Sequence, residues 1–135
     1  MFVIDASVTL AWCFDDESSP VADAVLDRLE REDALAPAHW PLEVANALRT
    51  AERRGRLDPT DLARLRGLLA ALPVEIAPVE LSTALWSVLE VARVHDLTAC
   101  DATYLDLALV RGLPLATADT RLRAACADAG VELVA

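Results

Sequence analysis

Four acidic residues stand where their type and surroundings could support chemistry. Asp5 closes the apolar opening Phe2-Val3-Ile4, and Asp119 follows the run Leu113-Pro114-Leu115-Ala116-Thr117-Ala118. Asp101 opens the helical stretch Asp101-Ala102-Thr103-Tyr104-Leu105, and Glu43 lies inside the apolar segment Trp40-Pro41-Leu42-Glu43-Val44-Ala45-Asn46-Ala47-Leu48. A carboxylate among aliphatic residues costs several kcal/mol unless a cation or hydrogen-bond donors compensate it. The sequence contains no lysine, so four converging acids need a metal ion. Oxygen ligands suit Mg²⁺ or Mn²⁺, the ions of metal-dependent phosphodiester cleavage.

Each acid also has a plainer role open to it. Asp5 and Asp119 precede expected helices, where aspartate is a good N-cap. Asp101 could cap as well, with Thr98 competing for the position. Glu43 could be an exposed acid at the edge of an apolar stripe, although Asn46 and Thr50 on the same helical side suggest an inward polar pocket. Ser7 lies two residues after Asp5 and Thr117 two before Asp119. Either hydroxyl could donate to a carboxylate or hold a metal-bound water. For Tyr104, core packing outweighs a contact to a base or ribose. His39 and His95 lack a Ser or Cys partner at recognisable spacing and receive no general-base role. Asp106, five residues after Asp101, points elsewhere on the helix and is left out of the site.

The elements that must position these residues alternate between short strands and helices. Strands are expected over residues 2–5, 34–36, 74–76, 115–116 and 131–134. Helices are expected from Ser7 to Phe14, from Ser19-Pro20 to about Glu32, from Trp40 to Arg54, and from Asp58-Pro59 to before Pro73. Three more follow: Leu81 to Val94 with Leu85, Val88, Leu89 and Ala92 on its inner side, Asp101 to Val110, and residues 119–129. Alternating apolar strands and helices imply a central parallel sheet covered on both faces. Ligands of such sheets bind beyond the carboxyl ends of the strands, where Asp5 and Asp119 fall.

Composition narrows the function classes. At 135 residues with 55% hydrophobic content, four glycines and seven prolines, the chain is expected to form one domain, 1–135, with a real core. No apolar run approaches the ~18 residues of a membrane span. The opening lacks the basic region of a signal peptide, so the cytoplasm is the expected location and no membrane partner is foreseen. Cys13, Cys100 and Cys126 form no Cys-x-x-Cys pair and read as small core hydrophobes, which argues against a zinc site of sulfur and imidazole ligands and against a disulfide framework. The net charge of −10 disfavours nonspecific nucleic-acid binding. Yet Arg49, Arg53, Arg54, Arg56, Arg64 and Arg66 make one basic window, either a solvated helical hairpin or a phosphate-gripping rim.

Taken together, Phe2-Val3-Ile4-Asp5-Ala6-Ser7, Glu43-Val44-Ala45-Asn46-Ala47-Leu48, Cys100-Asp101-Ala102-Thr103-Tyr104-Leu105 and Ala116-Thr117-Ala118-Asp119 resemble the PIN-domain ribonucleases, and within them the VapC-like toxins of bacterial toxin–antitoxin pairs. The resemblance runs over essentially the whole chain. It implies a PIN-like three-layer α/β/α fold with a central parallel sheet of about five short strands. It also implies an acidic metal-binding quartet at Asp5, Glu43, Asp101 and Asp119, with Ser7, Asn46 and Thr117 lining the pocket. The implied activity is hydrolysis of RNA phosphodiester bonds with Mg²⁺ or Mn²⁺. The implied partners are the RNA substrate, a second copy in a homodimer, and a cognate antitoxin whose C-terminal segment covers the acidic groove in a hetero-oligomer. Cys100 and Asp106 depart from the residues usual at those positions, which bears on substrate preference more than on activity.

Two rival functions remain at the level of sequence. An aspartate at a strand end could carry an aspartyl phosphate, but such enzymes place a lysine against the phosphate, and Asp5-Ala6-Ser7 offers no Asp-x-Asp. A catalytically silent protein-binding module could receive an arginine-bearing peptide in the acidic groove, although binding alone needs fewer acids.

Overall fold

The computed structural model describes residues 1–135. Three consecutive residues of strand β1 (Phe2–Ile4) are fully buried. Because successive strand side chains point to opposite faces, this means both faces of the sheet are covered. Strands β2 (Ala34–Pro37), β3 (Val74–Ala77) and β4 (Leu115–Ala116) join β1 in a four-stranded parallel sheet of order β3-β2-β1-β4. The register pairs Phe2 with Ala34, Val3 with Leu115 and Ile4 with Ala116. The chain thus builds outward from β1 to β3 and then returns to the other side of β1. The crevice at this reversal lies between the ends of β1 and β4, and the residues just beyond it are Asp5 and Thr117 to Asp119.

Helices α1 (Ala6–Cys13), α2 (Pro20–Leu29), α3 (Trp40–Arg53) and α4 (Pro59–Ala70) form in the first half. Local chemistry starts two of them clearly. Ser19 accepts the Ala22 amide ahead of Pro20, and Asp58 and Asp61 form a reciprocal capping box around Pro59. Trp40 is buried at the head of α3, and its indole N–H donates to Thr9 Oγ1 of α1 at 3.2 Å. Thr9 in turn donates to the Asp5 carbonyl at 3.1 Å. This chain of contacts fixes the first turn of α3, and with it Glu43, against the end of β1. In the second half, helix α7 (Ala99–Arg111) lies directly on β1, β2 and β4, and α8 (Thr120–Ala129) packs beside it.

Three expectations need correction. The sheet has four strands rather than five, because β4 spans only two residues and gives the C-terminal segment a single bridge, Leu115 to Leu133. The helix expected from Leu81 to Val94 is broken into α5 (Leu81–Thr83), a π-turn (Ala84–Val88) and α6 (Leu89–His95). The wider turn shifts the helical register, so Val88 and Ala92 pack on Ala102 while Leu85 and Leu89 face outward. Cys13 and Cys126 are buried as expected, but Cys100 is exposed in the first turn of α7.

Candidate metal centre

Asp5 ends β1 and caps α1. Its Oδ1 accepts the Val8 amide at 3.2 Å and the Ser7 hydroxyl at 2.6 Å, and its Oδ2 accepts the Thr117 hydroxyl. The same hydroxyls accept backbone amides from the β4 side. Ser7 Oγ takes the Ala118 N–H at 2.9 Å, and Thr117 Oγ1 takes the Asp119 N–H at 3.0 Å. Ser7 and Thr117 therefore stitch the ends of β1 and β4 together around one carboxylate. Asp119 caps α8 through Oδ1, which accepts the Leu122 amide at 2.9 Å. Both aspartates thus perform the plain capping role and stand at the crevice as well.

Asp101 does not cap. Thr98 takes that position, its hydroxyl accepting the Asp101 amide at 3.2 Å, and the Asp101 carboxylate is left half-buried with the Thr98 hydroxyl as its one neighbouring donor. Glu43 is also half-buried, in the first turn of α3. Its Oε1 accepts the Tyr104 hydroxyl at 2.5 Å and lies 3.1 Å from His39 Nε2. Asn46, expected to line the pocket, is exposed one turn further along α3 and hydrogen bonds to none of the acids. Asp106 points away from them, as expected, and is buried against Ser87 of the π-turn.

Electrostatics ties the acids into one neighbourhood. Burial pushes the Asp5 carboxyl up to about 6, against the pull of its hydroxyl and amide donors, and Asp119 adds to the rise. Burial likewise raises Asp101, followed by the negative charges of Asp119 and Glu43. Glu43 moves the other way: the hydrogen bond from His39 leads, with help from Tyr104, and holds it below the usual carboxylate range despite partial burial. Tyr104 is buried, and desolvation together with the adjacent Glu43 keeps its phenol protonated, so it remains a donor.

The acids share a rim without closing on one another. No three His, Cys, Asp or Glu side chains stand close enough together to grip an ion directly. Asp5 has turned both oxygens to hydroxyls, and Glu43 has turned one to Tyr104 and His39. The donor set still fits a hard divalent ion, being all oxygen and with two of its acids raised by burial and mutual repulsion. The core packing expected of Tyr104 is borne out by its burial, but its contact with Glu43, like that of His39, was not foreseen. The His39-to-Glu43 spacing of one helical turn was a usable signal, whereas the reach of Tyr104 from α7 to α3 was not.

Comparison with known proteins follows the same line. The profile of the PIN domain family matches residues 2–128. Ribonuclease VapC12 of Mycobacterium tuberculosis is 32% identical over 136 aligned residues that span 100% of both chains. Ribonuclease VapC3 of the same species is 34% identical over 121 residues, covering 89% of this chain and 83% of its own length. The crystal structure of PAE2754 from Pyrobaculum aerophilum superposes with a TM-score of 0.67 at 28% identity, covering 92% of this chain and 83% of that one. The sarcin-ricin loop cleaving toxin VapC20 of M. tuberculosis shares the fold, with a TM-score of 0.65 at 14% identity over 93% of this chain and 95% of that one. The ribonuclease relatives favour the nuclease reading over aspartyl-phosphate chemistry. Matched nearly end to end by the family profile and by these relatives, the chain belongs to the PIN-domain family, alongside the VapC ribonucleases.

Proposed function

We propose that the protein is a toxin endoribonuclease that hydrolyses RNA phosphodiester bonds with Mg²⁺ or Mn²⁺ held by Asp5, Glu43, Asp101 and Asp119, acting as a single PIN unit over residues 1–135 in the cytoplasm. The observation that carries this reading is Asp5, buried at the β1–β4 crevice between the hydroxyls of Ser7 and Thr117, with Asp119 and Asp101 raising the local negative potential. Bound there, the ion supplies a water of lowered pKa and a positive charge beside the phosphate. Mg²⁺ keeps several of its own waters, so a rim of acids that does not close completely suits it. Ser7 and Thr117 hold the Asp5 oxygens in place, and Asn46, exposed on α3 beyond Glu43, would be open to contact with the RNA. No helix is long and apolar enough to cross a membrane.

The partners follow from charge and surface. An antitoxin segment bearing arginine complements the uncompensated acids and would block RNA from them. A second copy is expected on the segment from α5 to α6, where Leu81, Leu85, Trp86 and Leu89 are exposed; light scattering of the purified chain will read a dimer mass.

Cleavage is tested with purified, antitoxin-free protein and structured RNAs in Mn²⁺ or Mg²⁺. Cutting is expected, with EDTA, Asp5→Asn and Asp101→Asn each abolishing it. Cutting that persists unchanged in both variants would assign it to a contaminant and remove the proposal.

A further inference from the structure

Glu43, unlike Asp5, is held by two ring-bearing side chains rather than by a serine, a threonine and a backbone amide. Oε1 faces two groups from two elements: the Tyr104 hydroxyl on α7 and His39 Nε2 at the head of α3. His39 Nε2 also lies 3.1 Å from the Cys100 carbonyl in the first turn of α7. A carbonyl and a carboxylate can only accept, so Nε2 carries the hydrogen and shares it between them. The His39 and Tyr104 rings lean against each other with centroids 4.9 Å apart at 55°. Oε2 of Glu43 has no protein partner.

Such an arrangement does more than fill space. Tyr104 is almost fully buried, and its hydroxyl finds its acceptor on a carboxylate of another helix. His39 bridges the first turns of α3 and α7, the two turns that carry Glu43 and Asp101. With Oε1 occupied twice, the carboxylate cannot spin about its last bond without losing both donors. What remains is one oxygen with a fixed direction and a fixed separation between the two helices.

We propose that His39 and Tyr104 are positioning residues that clamp Glu43 so that it offers a single oxygen, Oε2, to the metal ion, and that they set its spacing from Asp101. The inference rests on the metal-dependent reading above. Outer partners of this kind change metal affinity by 10- to 100-fold when removed. A link that merely held the fold together would change unfolding without selectively changing metal affinity.

The test is calorimetric titration of Mn²⁺ into the full chain, alongside urea unfolding of each metal-free variant. Tyr104→Phe keeps the ring and deletes the donor, and should weaken Mn²⁺ binding by about 10-fold or more while the variant stays folded. His39→Gln retains an N–H donor and should bind within about threefold of the unaltered protein, whereas His39→Ala should lose affinity as Tyr104→Phe does. Raising Mn²⁺ should restore RNA turnover by Tyr104→Phe, because its defect lies in holding the ion. Equal or tighter binding by Tyr104→Phe, or equal binding by His39→Ala and His39→Gln, overturns the clamp while leaving the metal centre standing. Absence of Mn²⁺ binding by the unaltered protein removes both.

Discussion

Asp5 is the residue on which stability and activity pull in opposite directions. Its carboxyl is raised from 3.8 to about 6 because it is buried. A group whose folded pKa is raised binds its proton more tightly in the folded state, so the metal-free protein loses stability as pH climbs from about 4 through about 6. The loss is on the order of 3 kcal/mol. Urea unfolding in EDTA should therefore give a higher midpoint at pH 4.5 than at pH 7, and Asp5→Asn should flatten that difference while abolishing RNA cleavage. Metal affinity moves the other way. Protons compete with the ion for Asp5 and Asp101, so Mn²⁺ binding should weaken on going from pH 7 to 5.5, and a flat affinity would contradict the site. The four proposed acids stand out in the sequence because each sits beside an apolar run or a helix start. Their hydrogen-bond partners were legible only where they lay close in sequence: Ser7 was visible from Asp5, whereas Tyr104 and Glu43 meet across sixty-one residues.

Elements whose boundaries are set by local chemistry were readable, and those set by packing were not. The Asp58-Pro59 start of α4 is local and stands where it is expected, and the structure adds a capping box there. Asp58→Ala should lower stability by about 1 kcal/mol and leave RNA cleavage intact, since the cap stands apart from the acids; denaturant titration and a cleavage assay check both halves. The segment from 81 to 95 shows the opposite case. Its apolar spacing fits a regular helix, but burial of Val88 and Ala92 on Ala102, together with the reach of Ser87 to Asp106, goes with a π-turn that no periodicity encodes. The last strand failed for a related reason: apolar residues 131–134 were available to pair, but β4 is only two residues long.

At the scale of the whole molecule, a net charge of −10 coexists with a patch of arginines around the end of α3. The solvated reading accounts for part of that patch, and the phosphate-gripping reading stands as a proposal. Arg56 is tied to Asp16 at 2.8 Å and lies over the Phe14 ring, and Arg49 pairs with Glu52 at 2.7 Å. Arg53, Arg54, Arg64 and Arg66 are exposed and make no ion pair. Arg53 lies ten residues along α3 from Glu43, roughly 15 Å by helical rise, within reach of a strand crossing the acids. Replacing Arg53 and Arg54 together by glutamate should raise KM for RNA several-fold at low salt, reduce the salt dependence and leave kcat nearly unchanged. An unaltered KM would make these arginines a solvated face.

The stitching of Asp5 to Thr117 and of Ser7 to Ala118 spans more than a hundred positions of polypeptide. Ribosomes emit the first of these residues long before the second, and until β4 arrives the aspartate at the end of β1 has neither its sheet neighbour nor the Thr117 hydroxyl. A nascent chain halted short of Leu115 should consequently be inert toward the transcripts around it, with cutting expected only once that last short strand has emerged.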